Sequence, residues 1–412
     1  MHIGMILGVN RRFPPDIRVE KEMRALAEAG YHVTVLTKQI PEGSARREEI
    51  IPERAYVKRV QVPNSGRGPF SRFKTAVSLI EQSWKKHLEA LVREDKVDVF
   101  HVHDFKMVPT VLQAAKGLNI LVVADLHENM PAVLVARRSE LPKLKKMKDA
   151  ILRNYYLWRW HESKRLKECA KIIVVVPEAA ERLYRYGIKR EKIVIVSNTE
   201  DKDTFRFASN DADPAIVEKY KEFWTISYVG GIGPHRGLDT LLKAVPAALQ
   251  EIPKLKLVIV GARERDSAFL SSEINSGGVR DSVDIIGWQP FEKVYSYMIA
   301  SRVCVIPYND FEHTQTTVPH KLFQAMICAR PVLVSNVRPL KRIVEEAKAG
   351  CVFRANDSRD LAQKLMEMFN HPGWLSEMGL NGQHAALGKY AWGNDAKRLL
   401  EMYRELNEFY VR

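Results

Sequence analysis

Short, β-branched apolar runs alternate with helical segments along this chain, and the whole pattern occurs twice. In the first series the runs are HIGMILGV (His2–Val9), HVTVLT (His32–Thr37), VDVFHVHD (Val97–Asp104), ILVVADLHE (Ile120–Glu128), KIIVVV (Lys171–Val176) and KIVIVSN (Lys192–Asn198). Between the first two, Ile17–Ala29 has helical spacing through Val19, Met23 and Leu26 and stops at Gly30. Runs of this length and composition read as strands buried on both faces, which is the pattern of a parallel sheet covered by helices. The second series is TISYVGG (Thr225–Gly231), LKLVIVG (Leu255–Gly261), SVDIIGW (Ser282–Trp288), RVCVIPY (Arg302–Tyr308), RPVLVS (Arg330–Ser335) and AGCVFR (Ala349–Arg354), all read as buried parallel strands. The polar stretch Thr199–Glu222 between the two series reads as a linker. The expected fold is therefore α/β, with two doubly wound Rossmann-like domains, 1–200 and 201–393, facing a cleft. The last helix, 394–412, carries Leu399, Leu400, Tyr403 and Leu406 at helical spacing and is free to pack on either domain. Ligands of such sheets bind at the carboxyl ends of the strands and at domain interfaces.

A chain of 412 residues with a net charge of +14 implies an acidic partner: nucleic acid, an anionic membrane surface or a phosphorylated ligand. No groove-binding motif supports nucleic acid. The four cysteines, Cys169, Cys304, Cys328 and Cys351, form no CxxC pair, which argues against a zinc site or disulfide framework and fits a reducing cytoplasm. The start MHIGMILGV has no signal-peptide pattern, and no apolar run approaches the ~18 residues of a membrane span. The charge is uneven: Val133–Glu168 holds eleven Lys or Arg against four Asp or Glu. Within it, Leu141–Glu168 adds Tyr155, Tyr156, Trp158 and Trp160. Basic and aromatic residues together suit an anionic membrane interface, while the plainer reading is a packed helix with solvated lysines.

Two segments of the second half share an electrostatic anomaly. YVGGIGPHRGLDTLLKAV and TTVPHKLFQAMICARPVLVS each read as a helix beginning near a proline, Pro234 and Pro319. Each places a histidine and a cation in or beside the first turn: His235 and Arg236, then His320 and Lys321. A helix N-terminus disfavours cations, so the pair makes sense if both face an anion such as a phosphate. Gly230, Gly231 and Gly233 would let the backbone approach it. His127 and Glu128 end an apolar strand, where polar side chains face a ligand. Strand alternation is read as sending one histidine of HVH into the sheet packing, which leaves His103 and Asp104 as the site pair.

These motifs, in this order, resemble family-four glycosyltransferases of the GT-B fold: FPPDIRVEKEMRALAEAGYHVTVLT, HVHD, DLHE and VSNTED, then GG with the HRGLDTLL helix, GW after a strand, and PHKLFQAMICARPVLVS. The resemblance implies a retaining sugar transfer from a nucleotide-sugar to a glycan or lipid-linked acceptor, in polysaccharide or glycolipid biosynthesis. It implies no bound metal and no cofactor beyond the donor substrate. The first domain would hold the acceptor and the second the donor. Arg236 and Lys321 would carry the diphosphate's charge and His127 would lie beside the donor sugar. The backbone at Ile286 and Gly287 would meet the nucleobase, and Thr316, Thr317 and Gln324 would line the donor. His103, Asp104 and Glu128 fall on the acceptor or sugar side. Asn198 is read as structural and Trp288 as a packing aromatic. The family pattern has two glutamates separated by seven residues, where this chain has Thr316 and Gln324. On that pattern, Gln324→Glu would be expected to tighten the donor complex and to retain the fold, because a charge-assisted bond to a hydroxyl is stronger than a neutral one. Gln324 also keeps two rivals open: a catalytically weakened nucleotide-sugar- or partner-binding relative, and a sugar-nucleotide epimerase on the same fold. The expected location is cytoplasmic and peripheral at the inner face of the membrane.

Overall fold

The computed structural model describes residues 1–8, 13–40, 45–63, 69–118, 120–138, 141–202, 205 and 212–411. Val9, which closes the first apolar run, and residues 203–204 and 206–211 of the linker lie outside the described residues. The chain divides into two compact units, Met1–Ser197 with Asp395–Arg412, and Asn198–Asn394.

The first unit is built on eight strands: β1 (His2–Leu7), β2 (His32–Lys38), β3 (Arg47–Ile51), β4 (Ala55–Val60), β5 (Val99–His103), β6 (Leu121–Leu126), β7 (Lys171–Val174) and β8 (Ile193–Ile195). Their order across the sheet is β3-β4-β2-β1-β5-β6-β7-β8. All neighbours are parallel except β3 and β4, which pair antiparallel. The sequence pattern missed this edge pair. β3 reads REEII and is largely exposed, so it lacks the apolar signature of a covered strand. The last helix, Trp392–Val411, buries Leu399, Met402, Tyr403 and Leu406. Its place in the first unit is fixed by polar contacts: Asp395 accepts from the Ser197 N–H at 2.7 Å, and Arg398 donates to the Ile195 carbonyl at 2.8 Å.

The second unit has six strands, β9 (Trp224–Val229), β10 (Leu255–Ala262), β11 (Val283–Gly287), β12 (Val303–Ile306), β13 (Val332–Ser335) and β14 (Gly350–Phe353), in the order β11-β10-β9-β12-β13-β14 and all parallel. Strand β10 shows why its sequence is apolar on both faces beyond Lys256. Leu255, Leu257 and Ile259 enter the core on one face, while Val258 and Val260 pack with Tyr220 and Tyr297 on the other. Two strands of this unit depart from the expectation of full burial, as does the half-buried edge strand β8 of the first. Both β11 and β14 lie at sheet edges and are only partly covered. Trp288, just past β11, is 68% exposed, so it is no packing aromatic.

Candidate active site

In the first unit, the carboxyl ends of β5 and β6 carry a buried charge cluster. His127 follows β6 directly, and its Nε2 lies 2.8 Å from Asp125 Oδ2. His103 Nδ1 lies 3.1 Å from the same oxygen and 3.2 Å from His127 Nε2. On the other side of Asp125, Arg18 donates through Nε and Nη2 at 2.9 and 2.7 Å in a bidentate pair. Arg18 also reaches Glu22 at 3.0 Å, one helical turn along Ile17–Glu28. His101 Nε2 faces Glu22 at 3.4 Å, and its Nδ1 meets the Tyr403 hydroxyl at 2.7 Å.

The histidines correct the sequence reading. Residues two apart on a strand share a face, so His101 and His103 point the same way. Their rings stack at 4.6 Å and both are buried. The local backbone is also unusual at the end of β5: Asp104 has φ of +66°, a strained conformation for a residue with a side chain. That places the Asp104 carboxylate 3.8 Å from His127 Nδ1. Glu128 stands at the margin, 3.9 Å from Arg137.

The cluster separates the proton affinities of its members. Burial opposes charge on His127, but Asp125 and Asp104 outweigh it and raise its pKa to about 9. Burial lowers His103 to about 3, so it stays neutral. Burial also disfavours the Asp125 anion, yet Arg18 and His127 hold its carboxyl well below the ordinary range. The folded-state pKa of His127 is raised, so its stabilising share is complete below the unfolded value near 6.5 and lost as pH rises through about 9. Asp125→Asn should flatten the pH dependence of stability in that window, as read by denaturant midpoints across pH; an unchanged dependence would remove the pair from the account.

Glu22, His101, His103 and Asp125 also bring donor atoms within 4.8 Å of one another, a grouping that sequence spacing did not reveal. Arg18 already contacts both carboxylates, so a fixed guanidinium occupies the place of their counter-ion.

In the second unit, the cations converge on two tyrosines. Lys321 is buried near the start of the helix His320–Ile327, and its Nζ makes no hydrogen bond among the described residues. It sits 4.0 Å from the Tyr228 ring and 5.4 Å from that of Tyr308. Arg236 bonds the Tyr308 hydroxyl and lies 5.1 Å from its ring. Burial, with Arg236 adding repulsion, pushes the Lys321 ammonium well below its ordinary value. Gly230 has φ of +129°, and a Cβ built there would approach Lys321 Nζ at 3.7 Å. Gly231 and Gly233 lie in the same loop, with open space or ordinary contact around them.

The helix expected from Pro234 is corrected. Pro234–Arg236 forms a single 3-10 turn, and the helix proper is Leu238–Ala248. Gly237 separates them with φ of +68°, where a Cβ would collide with the Pro307 carbonyl oxygen at 1.6 Å. Arg236 therefore precedes the helix, and the local arrangement is a turn braced by Asn309, which donates to the Pro234 carbonyl at 2.9 Å.

Gln324 lies one turn beyond His320 and is 5% exposed. Its Nε2 donates to Glu200 Oε1 at 3.0 Å, and His320 Nδ1 lies 3.0 Å from the same oxygen. The expectation that Gln324→Glu tightens the donor complex thus meets a buried carboxylate that the family pattern did not anticipate. Thr316 donates to the His313 carbonyl at 3.1 Å, and Thr317 is buried beside it. Asn198 donates to the Val318 carbonyl at 2.8 Å. Ile286 and Gly287 end β11, whose outer edge is unpaired within the sheet.

Arg18, Glu22, Asp125 and Glu200 were all missed. The available signals were a carboxylate inside the apolar run VVADL, and charged residues at Arg18 and Glu22 adjoining the apolar stripe of a helix.

Two doubly wound sheets in one chain, with paired cations at the glycine loop of the second, fit the GT-B architecture that the sequence motifs resemble. The comparisons agree. The model of Glycosyltransferase Family 4 matches residues 18–203, and that of Glycosyl transferases group 1 matches 224–371. A D-inositol 3-phosphate glycosyltransferase of Nocardiopsis dassonvillei is 24% identical over 94% of this chain and 89% of its own. Sucrose-phosphate synthase from Thermosynechococcus elongatus superposes with a TM-score of 0.73 at 18% identity, over 99% of each chain. Anabaena HepE, solved in complex with UDP-glucose, gives 0.68 at 13% identity over 98% of this chain and 100% of its own. The chain belongs to glycosyltransferase family four.

Proposed function

We propose that this glycosyltransferase moves a sugar from a nucleoside-diphosphate sugar to a glycan or lipid-linked acceptor, with retention at the anomeric carbon and without a bound metal. The carrying observation is Lys321, a buried ammonium beside Arg236 and the positive-φ glycine Gly230. Cations and amide dipoles fixed in advance stabilise the charge that develops on a leaving diphosphate. The open edge of β11 at Ile286 and Gly287 supplies backbone groups suited to a base edge, and Thr316, Thr317 and Gln324 stand near the Lys321 helix. The known complex of HepE with UDP-glucose supports this donor class. His127, kept charged by Asp125, is the group for the sugar and acceptor side, with His103, Asp104 and Glu128 around it. The proposed place of work is the cytoplasmic face of a membrane; among the described residues no helix is long and apolar enough to cross one.

Thermal shift against nucleotides and nucleotide-sugars tests the donor, since a ligand that binds only the native state raises apparent stability. Sugar transfer measured on the responding donor then tests catalysis, and binding without transfer or hydrolysis would favour the binding-protein reading. Activity should persist in EDTA, because Lys321 and Arg236 take the role of a divalent cation. Loss on chelation with recovery on magnesium or manganese would refute the metal-free mechanism, and the buried grouping of Glu22, His101, His103 and Asp125 would then be the first place to look.

A further inference from the structure

The largest anomaly outside the site is an uncovered apolar stripe on the first unit. The helix Lys143–Leu152 buries none of its residues. Leu144, Met147 and Ile151 follow helical spacing and are 77%, 66% and 71% exposed. The next helix in the chain, Tyr155–Arg165, also exposes Tyr156 and Trp160, while Trp158 turns inward and is buried. The helix Pro69–Ser78 lies beside Lys143–Leu152 and adds the exposed side chain of Phe73. Scattered exposed apolar residues need no explanation, but a contiguous stripe of this kind marks an interaction surface.

Charge decides what covers it. From Lys143 to Lys164 there are seven Lys or Arg and two acids. Both acids are neutralised internally: Asp149 pairs with Arg138 and Arg153, and Glu162 is buried against Arg182. Lys143, Lys145, Lys146 and Lys148 are left interleaved with the stripe. A second copy would bring the same positive charge against itself. An anionic lipid surface satisfies both features, since apolar side chains enter the acyl boundary while lysines meet headgroups and aromatic rings sit at the interface.

We propose that this protein docks on anionic bilayers through the Lys143–Leu152 helix, with Leu144, Met147 and Ile151 inserted and Tyr156 and Trp160 at headgroup level. The inference deepens the proposed membrane location, but vesicle binding is read without donor or acceptor, so its failure leaves the sugar-transfer reading standing. The test is co-sedimentation of the full chain with vesicles of phosphatidylcholine alone and with added phosphatidylglycerol. Binding should require the anionic lipid and should weaken in high salt, where the screening length falls to about 3 Å at 1 M. The triple substitution Leu144→Ser, Met147→Ser, Ile151→Ser should lower partitioning ~10-fold or more through lost apolar insertion, with the thermal midpoint unchanged because these side chains are exposed. A second variant, Lys145→Glu with Lys146→Glu, should lose binding while keeping the stripe. Three results would overturn the proposal: no association with anionic vesicles at low salt, equal association by the serine variant, or a wild-type dimer in solution that the serine variant converts to monomer.

Discussion

Lys321→Ala should lower sugar transfer about 10²–10³-fold, the effect of removing one preorganised donor to a developing anion, ~2.7–4 kcal/mol in the barrier. The fold should not suffer. Lys321 is buried, its Nζ has no hydrogen-bond partner among the described residues, and burial and Arg236 already depress its proton affinity, so the ammonium costs stability while no anion is bound. Its thermal midpoint should hold or rise as transfer falls. Arg236→Ala should show a similar kinetic loss, with its bond to Tyr308 given up. The same arrangement links binding to protons. A diphosphate favours the charged ammonium, so donor binding should take up a proton above the depressed pKa and weaken as pH rises. Calorimetry in buffers of different ionisation enthalpy reads that uptake directly. Near-native transfer by Lys321→Ala would dismiss the diphosphate site.

Gln324→Glu should destabilise the protein by roughly 3 kcal/mol at neutral pH, the scale of an uncompensated buried charge. The new carboxylate would replace the amide whose Nε2 lies 3.0 Å from Glu200, and both positions are buried. Two carboxylates at that distance raise the proton affinity of one of them. The folded state then binds more protons than the unfolded state, so stability falls as pH rises through the raised pKa and recovers on acidification. Adding Glu200→Gln should restore stability by exchanging the two partners. A Gln324→Glu protein as stable as the wild type at neutral pH, with a tighter donor complex, would return the position to the simple family pattern.

The strand series was legible because covered parallel strands announce themselves locally, as in LVVADL or LKLVIV. The β3–β4 edge pair was not, since the exposed edge strand REEII carries no such signature and AYVKRV is covered only at alternate positions. The proposed site positions divide along the same line. Arg236 and Lys321 stood out because cations beside a presumed helix start violate a local electrostatic rule, although the turn at Gly237 shows that Arg236 precedes its helix. His127 stood out by its place at the end of an apolar run.

By itself the sequence determined two α/β sheet systems, their approximate strand limits, and the two basic segments of the second half, because apolar periodicity and helix-start charge are properties of neighbouring residues. Only the tertiary structure decided what those residues face. Arg18 meets Asp125 across 107 positions, and Gln324 meets Glu200 across 124. The charge on His127, the neutrality of His103 and the outcome of Gln324→Glu all follow from such partners. A buried ionisable group takes its state from the charges brought within a few ångströms of it, and that proximity exists only once the chain has folded.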